Sequence, residues 1–242
     1  MATVSIVIPT LNEAACLGRT LRLLSVLDPP ALEILVVDGG SSDSTVEICE
    51  SQGISVITAE RGRSIQMNAG AEVARGDVLC FVHGDTWVPD DLVAVVTNTL
   101  KDPGISCGGF ISLMVGPGIT RWGVSLHNFL KTYYAPLLFK PLLFLKGLRL
   151  LFGDQVMFCR RADFWKVGGF DPEIPILEEA DLCIKLVQCG RIKQVNRIVQ
   201  SSDRRVAKWG SLKATAIYLA IGFLWGFGVS PTYLQKFYRD IR

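Results

Sequence analysis

EILVVDGGSSDST, residues 33–45, decides the fold. The apolar run from Ile34 to Val37 ends on Asp38, two glycines turn the chain, and a Ser-Ser-Asp triplet leads into a helix from about Ser44. A Val- and Ile-rich run without polar alternation reads as a strand buried on both faces, as in parallel sheets covered by helices on either side. The same unit recurs outward from it. Ser5 to Pro9 reads as an earlier strand, followed by a helix carrying Leu17, Leu21 and Leu24. Ser55 to Thr58 reads as a third strand, Ser64 to Ala74 as a helix, and Val78 to His83 as a fourth strand. This βαβα order predicts an α/β fold with a mostly parallel sheet and helices on both faces, and ligands in such sheets sit beyond the strand C-terminal ends. Asp38 and Asp85 fall at such ends and are expected to share one crevice.

Beyond Thr99 the regularity breaks. Cys107 to Met114 and Val156 to Cys159 read as strands, 120–152 as a helical, aromatic stretch, and Glu178 to Gln188 as a helix through Leu182, Ile184 and Leu186. Ser230-Pro231 caps a last helix through Leu234, Phe237 and Ile241.

The 242 residues are 49% apolar, enough for one sizeable core, so a single compact domain is expected. Seven scattered cysteines form no Cys-X-X-Cys pair, which argues against a disulfide framework or a zinc site and for a reducing, cytoplasmic location. MATVSIVIPT lacks a basic leader and reads as a first strand, not a signal peptide. The net charge of +2 hides a segregation. Residues 1–102 carry 6 basic and 14 acidic groups, 103–152 carry 5 basic and no acidic ones, and 191–242 carry 10 basic and 2 acidic. Solvated faces that happen to differ would account for this; so would an acidic half that manages a metal and basic, apolar blocks that face an anionic membrane or a diphosphate.

Neither G-x-x-x-x-G-K-[ST] nor G-x-G-x-x-G follows a strand, which argues against P-loop and classical dinucleotide enzymes. Five ordered motifs stand instead: SIVIPTLNEA, VVDGGSSDST, GRSIQMNAGAEVARG, HGDT and GGFDPEIPILEEADLCIKL. Together they resemble the family 2 glycosyltransferases, enzymes of the GT-A fold that move a sugar from a nucleoside diphosphate to an acceptor. The chain is most similar to a small bacterial subgroup in which His replaces the first Asp of the Asp-X-Asp triplet and which ends in Gly228 to Pro231 and then Tyr238 to Asp240. The resemblance implies a nucleotide-sugar-binding half over 1–102, an acceptor-binding and catalytic half over 103–200, and a basic, apolar helical extension over 201–242, within one domain.

Asp38 presents a carboxylate to a base or ribose, or caps a helix, a task that Ser41, Ser42 and Asp43 already serve. Thr10, Asn12 and Glu13 lie on the loop where the family contacts the nucleoside, with capping an alternative for Asn12. Arg63, ahead of a helix, suits a diphosphate, with a solvated arginine as the alternative; Asn68 is its family-matched partner. The HGDT motif adds Gly84 to the donor site. Asp85 is the metal candidate, since Mg2+ or Mn2+ takes carboxylate, phosphate and water oxygens. His83 has three readings: an imidazole ligand for Mn2+, a donor to phosphate, or a packed strand-end histidine. The family's base is the second member of a Glu-Asp pair at a helix start, a position Glu179 occupies here beside Glu178. Adjacent carboxylates raise each other's pKa, although an acidic first turn that satisfies the helix dipole reads the same way. Asp154 is a further candidate for acceptor or metal contact.

APLLFKPLLFLKGLRLLF, residues 135–152, interleaves Lys140, Lys146 and Arg149 with Leu and Phe. It suits an anionic bilayer interface or a groove for a lipid-linked acceptor, while Pro136 and Pro141 spoil a regular helix and a core or homodimer contact would look similar. Residues 214–229 are short for a membrane span, and their Gly222-xxx-Gly226 match is weak, so peripheral association is expected. Arg204, Arg205 and Lys208 precede that run, within reach of a diphosphate or lipid headgroups. The expectation is a metal-dependent, inverting glycosyltransferase acting at the cytoplasmic face on a lipid or small-molecule acceptor, with no nucleic-acid partner. A nucleotidyltransferase of related fold and a non-catalytic nucleotide-sugar-binding or membrane-docking protein are the alternatives.

Overall fold

The computed structural model describes residues 2–237. Tyr238 to Asp240 and Ile241, singled out in the sequence, lie outside the described residues. Four parallel strands open the chain: β1 (Val4–Thr10), β2 (Glu33–Asp38), β3 (Val56–Thr58) and β4 (Val78–Phe81), in the spatial order β3-β2-β1-β4. Every residue of β1 is buried, because helices cover both faces. Val4, Ile6 and Ile8 point to one side, where α1 (Ala14–Leu24), α2 (Thr45–Ser51) and α4 (Leu92–Leu100) contribute Leu17, Leu21, Cys49, Leu92 and Val96. Val7 points to the other, against Met67 and Ala71 of α3 (Arg63–Val73). Each large apolar side chain so buried contributes about 1.5–3 kcal/mol. A Cβ on Gly70 of α3 would lie 2.4 Å from Val7 Cγ1, so glycine sets how closely that helix approaches the sheet.

Past β4 the sheet becomes mixed. β8 (Phe158–Arg160) runs antiparallel to both β4 and the long β6 (Ile105–Gly116), and β6 pairs in parallel with β9 (Arg191–Ser202). The short β5 (Thr86–Trp87) and β7 (Ile119–Thr120) complete its edges. The sequence reading did not foresee β9, whose last residues pair with β5 just past the end of β4.

The apolar stretch divides into α5 (Trp122–Phe139), α6 (Pro141–Leu145) and an extended segment to Phe152. Pro136 was expected to interrupt the helix, yet α5 runs through it. A proline lacks the N–H that would bond the carbonyl four residues back; that carbonyl, on Thr132, accepts from Leu150 N at 3.2 Å instead. Helices α7 (Arg161–Lys166) and α8 (Glu178–Leu186) pack on the α3 side of the sheet. α9 (Arg204–Trp209), α10 (Ser211–Gly226) and α11 (Pro231–Leu234) follow β9. α10 lies along α5, and a Cβ on Gly226 would meet Phe139 Cγ at 2.4 Å. Among the described residues no helix is long and apolar enough to cross a membrane.

Candidate active site

A cleft of about 230 Å³ opens at the C-terminal ends of β1 and β4. Of the residues named from sequence, Thr10, Glu13, Arg63, His83, Gly84, Asp85, Asp154, Glu179, Arg204 and Arg205 line it. Asn12, Asp38, Asn68 and Glu178 do not. Asp38 is buried and holds its own turn: one carboxylate oxygen accepts from Gly40 N and Ser41 N at 2.9 and 2.8 Å, and Thr10 Oγ1 donates to the other at 3.3 Å. Asn12, with φ of +55°, accepts from Ser42 N. Asn68 departs furthest from its expected place at the diphosphate. Its amide donates to Phe170 O at 2.8 Å and accepts from Phe170 N at 3.0 Å, so it fastens the loop before α8 to α3.

The two adjacent glutamates also separate. Leu177, at φ +68°, turns the chain into α8 so that Glu178 and Glu179 face different partners. Glu178 is fully buried, with Arg63 Nε 2.8 Å from its Oε1. Burial pushes its carboxyl up to about 7 in spite of the Arg63 guanidinium. Glu179 reaches the cleft floor, where His83 Nε2 lies 3.5 Å from its Oε1, a distance at the limit of a hydrogen bond and well within electrostatic range. Burial favours a neutral Glu179, but His83 and then Arg63 outweigh it and hold the carboxyl below its usual value. The expectation that both carboxylates rise together holds only for Glu178, which burial and then the Glu179 charge raise against Arg63; Glu179 falls because the His83 hydrogen bond and Arg63 together outweigh its burial.

His83, read from sequence as a metal ligand beside Asp85, a donor to phosphate or a packed strand-end histidine, has Glu179 as its partner. Burial disfavours its charge, but Glu179 overrides this and raises its pKa above 6.5. The sequence contains only one other histidine, His127, which burial and then Lys131 push down to about 4. Two histidine signals in an NMR pH titration are thus expected to move apart, one above 6.5 and one near 4. The signs for stability are opposite. His83 binds more protons folded than unfolded, so its contribution is present below 6.5 and is lost as pH rises through its raised value. His127 binds fewer, so its contribution fades as pH falls from 6.5 towards 4. Two signals that titrate together near 6.5 would refute the His83–Glu179 pairing.

Asp85 faces a partner that sequence reasoning placed only near a diphosphate or lipid. Arg204, at the start of α9, extends Nη2 to within 2.8 Å of Asp85 Oδ2 and 2.7 Å of Glu13 Oε2. Burial works against the guanidinium's charge, but the Asp85 hydrogen bond and the Glu13 charge prevail and hold the proton more firmly than usual. A guanidinium thus sits between two carboxylates at the end of β4. Among the described residues no group of three or more His, Cys, Asp or Glu side chains forms a metal centre. Sequence reading also missed Gly153, where a Cβ would lie 2.2 Å from His83 Cε1 and 2.5 Å from Glu179 Oε1. Only a residue without a side chain lets the backbone pass so close to that pair. Asp154, next to it, accepts from Asn128 Nδ2 at 3.0 Å.

Residues 5–168 match the model of glycosyl transferase family 2, more than half of the chain. The chain belongs to that family. An uncharacterized glycosyltransferase of Mycobacterium tuberculosis (strain ATCC 25618 / H37Rv) is 27% identical to this family 2 chain over 192 residues, 76% of this chain and 68% of its own length. Across the curated relatives compared, the chain spans between 34% and 68% of their length. Two solved structures share its GT-A fold. A mannosyltransferase from Pyrobaculum calidifontis in complex with GDP-Man and Mn2+ has a TM-score of 0.71 and 20% identity, with 100% of this chain and 65% of that one covered. Glucosyl-3-phosphoglycerate synthase from Mycobacterium tuberculosis, in complex with Mn2+, UDP and phosphoglyceric acid, has a TM-score of 0.66 and 21% identity, with 94% and 79% covered. In this family 2 chain the cleft described above lies where β1 and β4 end, the switch point at which open α/β sheets bind ligands.

Proposed function

We propose that this protein is an inverting glycosyltransferase that uses a nucleoside-diphosphate sugar. The observation that carries the reading is a buried Glu179, its carboxyl held below the usual value by His83 and Arg63, on the floor of a cleft that Arg63 and Asp85 also enter. An acceptor hydroxyl oxygen bonds to the anomeric carbon while the bond from that carbon to the diphosphate breaks, and the hydroxyl proton passes to a Glu179 oxygen. His83 keeps Glu179 ionised and oriented. Arg63 meets the diphosphate, and Thr10, Glu13 and Gly84 border the donor. The GDP-Man and Mn2+ of the mannosyltransferase, and the UDP and Mn2+ of the synthase, support a nucleotide-sugar donor with a divalent metal here too.

The donor set fits such a metal. Asp85 and Glu13 supply two hard carboxylates aimed at one point, and Mg2+ or Mn2+ sites of this kind draw their other ligands from phosphate and water. When bound, the metal would neutralise charge on the departing nucleoside diphosphate. Peripheral association with an anionic membrane is supported by exposed Leu138, Leu142, Leu145 and Phe227 on α5, α6 and the end of α10, with Lys140 and Lys146 among them.

A thermal-shift screen of UDP, GDP and their sugars, with and without Mn2+, tests the donor reading. At a hundredfold excess over Kd the right nucleotide stabilises by about 2.7 kcal/mol, roughly 5–10 °C for a chain of this size. No shift with any nucleotide would refute it.

A further inference from the structure

A second cavity, an apolar groove of about 330 Å³ between α5 and α10, runs into the cleft. Lys131, Phe152, Leu177, Tyr218 and Gly222 line both. Farther from the cleft the walls are apolar and aromatic, with Leu138, Phe139, Leu150, Phe223 and Trp225. From the continuity of the two cavities we infer that the groove holds the hydrocarbon chain of an amphiphilic acceptor, whose anionic, hydroxyl-bearing head passes Lys131 to reach Glu179. This rests on the glycosyltransferase reading and names its acceptor class.

Three observations commit the groove to this occupant. The first is direction, since a chain lying between α5 and α10 has its polar end in the cleft that contains Glu179. The second is charge. Lys131 is the single charged residue of the groove lining, it sits at the junction, and its Nζ lies 3.6 Å from the Phe152 ring centroid. It makes no salt bridge among the described residues; burial draws its pKa down to about 8 although the Asp154 charge pulls the other way, and an anionic head at the junction would meet this cation. The third is Gly222. A glycine inside a helix costs about 1 kcal/mol against alanine, and at Gly226 close contact with Phe139 explains one. At Gly222 a Cβ would meet nothing within 4 Å, so the missing side chain serves open space at the point where groove and cleft join.

The test is calorimetric titration with inorganic phosphate and with butyl, octyl and dodecyl phosphate below their micelle concentrations, beside titrations with UDP and GDP. Affinity is expected to rise roughly fourfold per added methylene until the groove is filled. Ala220→Asp, at an exposed groove position that does not line the cleft, is expected to weaken dodecyl phosphate binding by at least about tenfold while inorganic phosphate binds as before, and Gly222→Phe, which projects into the open space at the junction, to weaken dodecyl phosphate at least as much. Equal affinity for dodecyl and inorganic phosphate would overturn the inference, as would a chain-length gain that both variants retain. Concentration-dependent dimerisation of a protein that ignores the alkyl chain would assign the groove to a second copy, and likewise overturn it. If neither UDP nor GDP binds, the glycosyltransferase reading falls and the chain is no acceptor's, whatever the alkyl series gives.

Discussion

Glu179→Gln is expected to lower the rate of glycosyl transfer by about 10²–10⁴-fold, the range for loss of a positioned general base. Gln keeps the shape of the side chain and its place on α8 but cannot take the acceptor proton. Nucleotide binding should survive, because the residues proposed to hold the donor lie on β1, α3 and the end of β4. The substitution also removes the carboxylate that raises the His83 pKa, so the His83 signal should fall back toward 6.5 or below. Single-turnover transfer assays and the histidine titration read these effects separately. The pH dependence follows from the same pair. Glu179 is held below its usual 4.5, so the acid limb of its activity should lie lower still, and the stability from its ionised form is present above 4.5 and lost as pH falls through the depressed value. Full turnover in Glu179→Gln with a competent donor and acceptor would show that another group takes the proton.

Asp85→Asn is expected to abolish the part of nucleotide stabilisation that depends on Mn2+ and to cost about 100-fold or more in metal affinity, since it removes a ligand and not merely a supporting group. Arg204→Ala should act in the opposite sense. In the intact chain the guanidinium competes with any cation for Asp85 and Glu13. Without it two carboxylates face one another with like charge, so Mn2+ alone, before any nucleotide is added, should raise the variant's Tm more than that of the unaltered protein. Both variants can be compared by thermal shift, independently of transfer. An equal Mn2+ response in all three proteins would place the metal elsewhere. Transfer that persists in EDTA would instead assign neutralisation of the diphosphate to Arg204 itself.

Much of the fold was legible because it obeys short-range rules. EILVVD is a strand in the sequence and in the structure, with the same limits, because an unbroken β-branched run has no other stable place than the interior of a parallel sheet. The helix carrying Leu17, Leu21 and Leu24 follows from their spacing in the same way. β9 was missed for the converse reason. Its buried apolar residues, Ile192, Val195 and Val199, fall three and four apart, and Lys193 and Arg197 interrupt them. Irregular pairing between β6 and β9 breaks the two-residue period that would mark a strand.

The candidate site divides along the same line. The sequence alone determined which residues reach the ends of β1 and β4, because a strand fixes where its last side chains emerge: Thr10, His83, Gly84 and Asp85 all border the cleft. It could not determine partnerships between residues far apart in the chain. Arg204 meets Asp85 across 119 positions of sequence, Asn68 meets Phe170 across 102, and the meeting of His83 with Glu179 depends on Gly153, a residue with no side chain to announce itself. β9 ends at the cleft and delivers Arg204 there, and the left-handed turn at Leu177 aims Glu179 into it; only the folded chain brings these partners together. The charges of Glu178 and Glu179, identical in local sequence, diverge because tertiary structure gives one burial beside Arg63 and the other an imidazole.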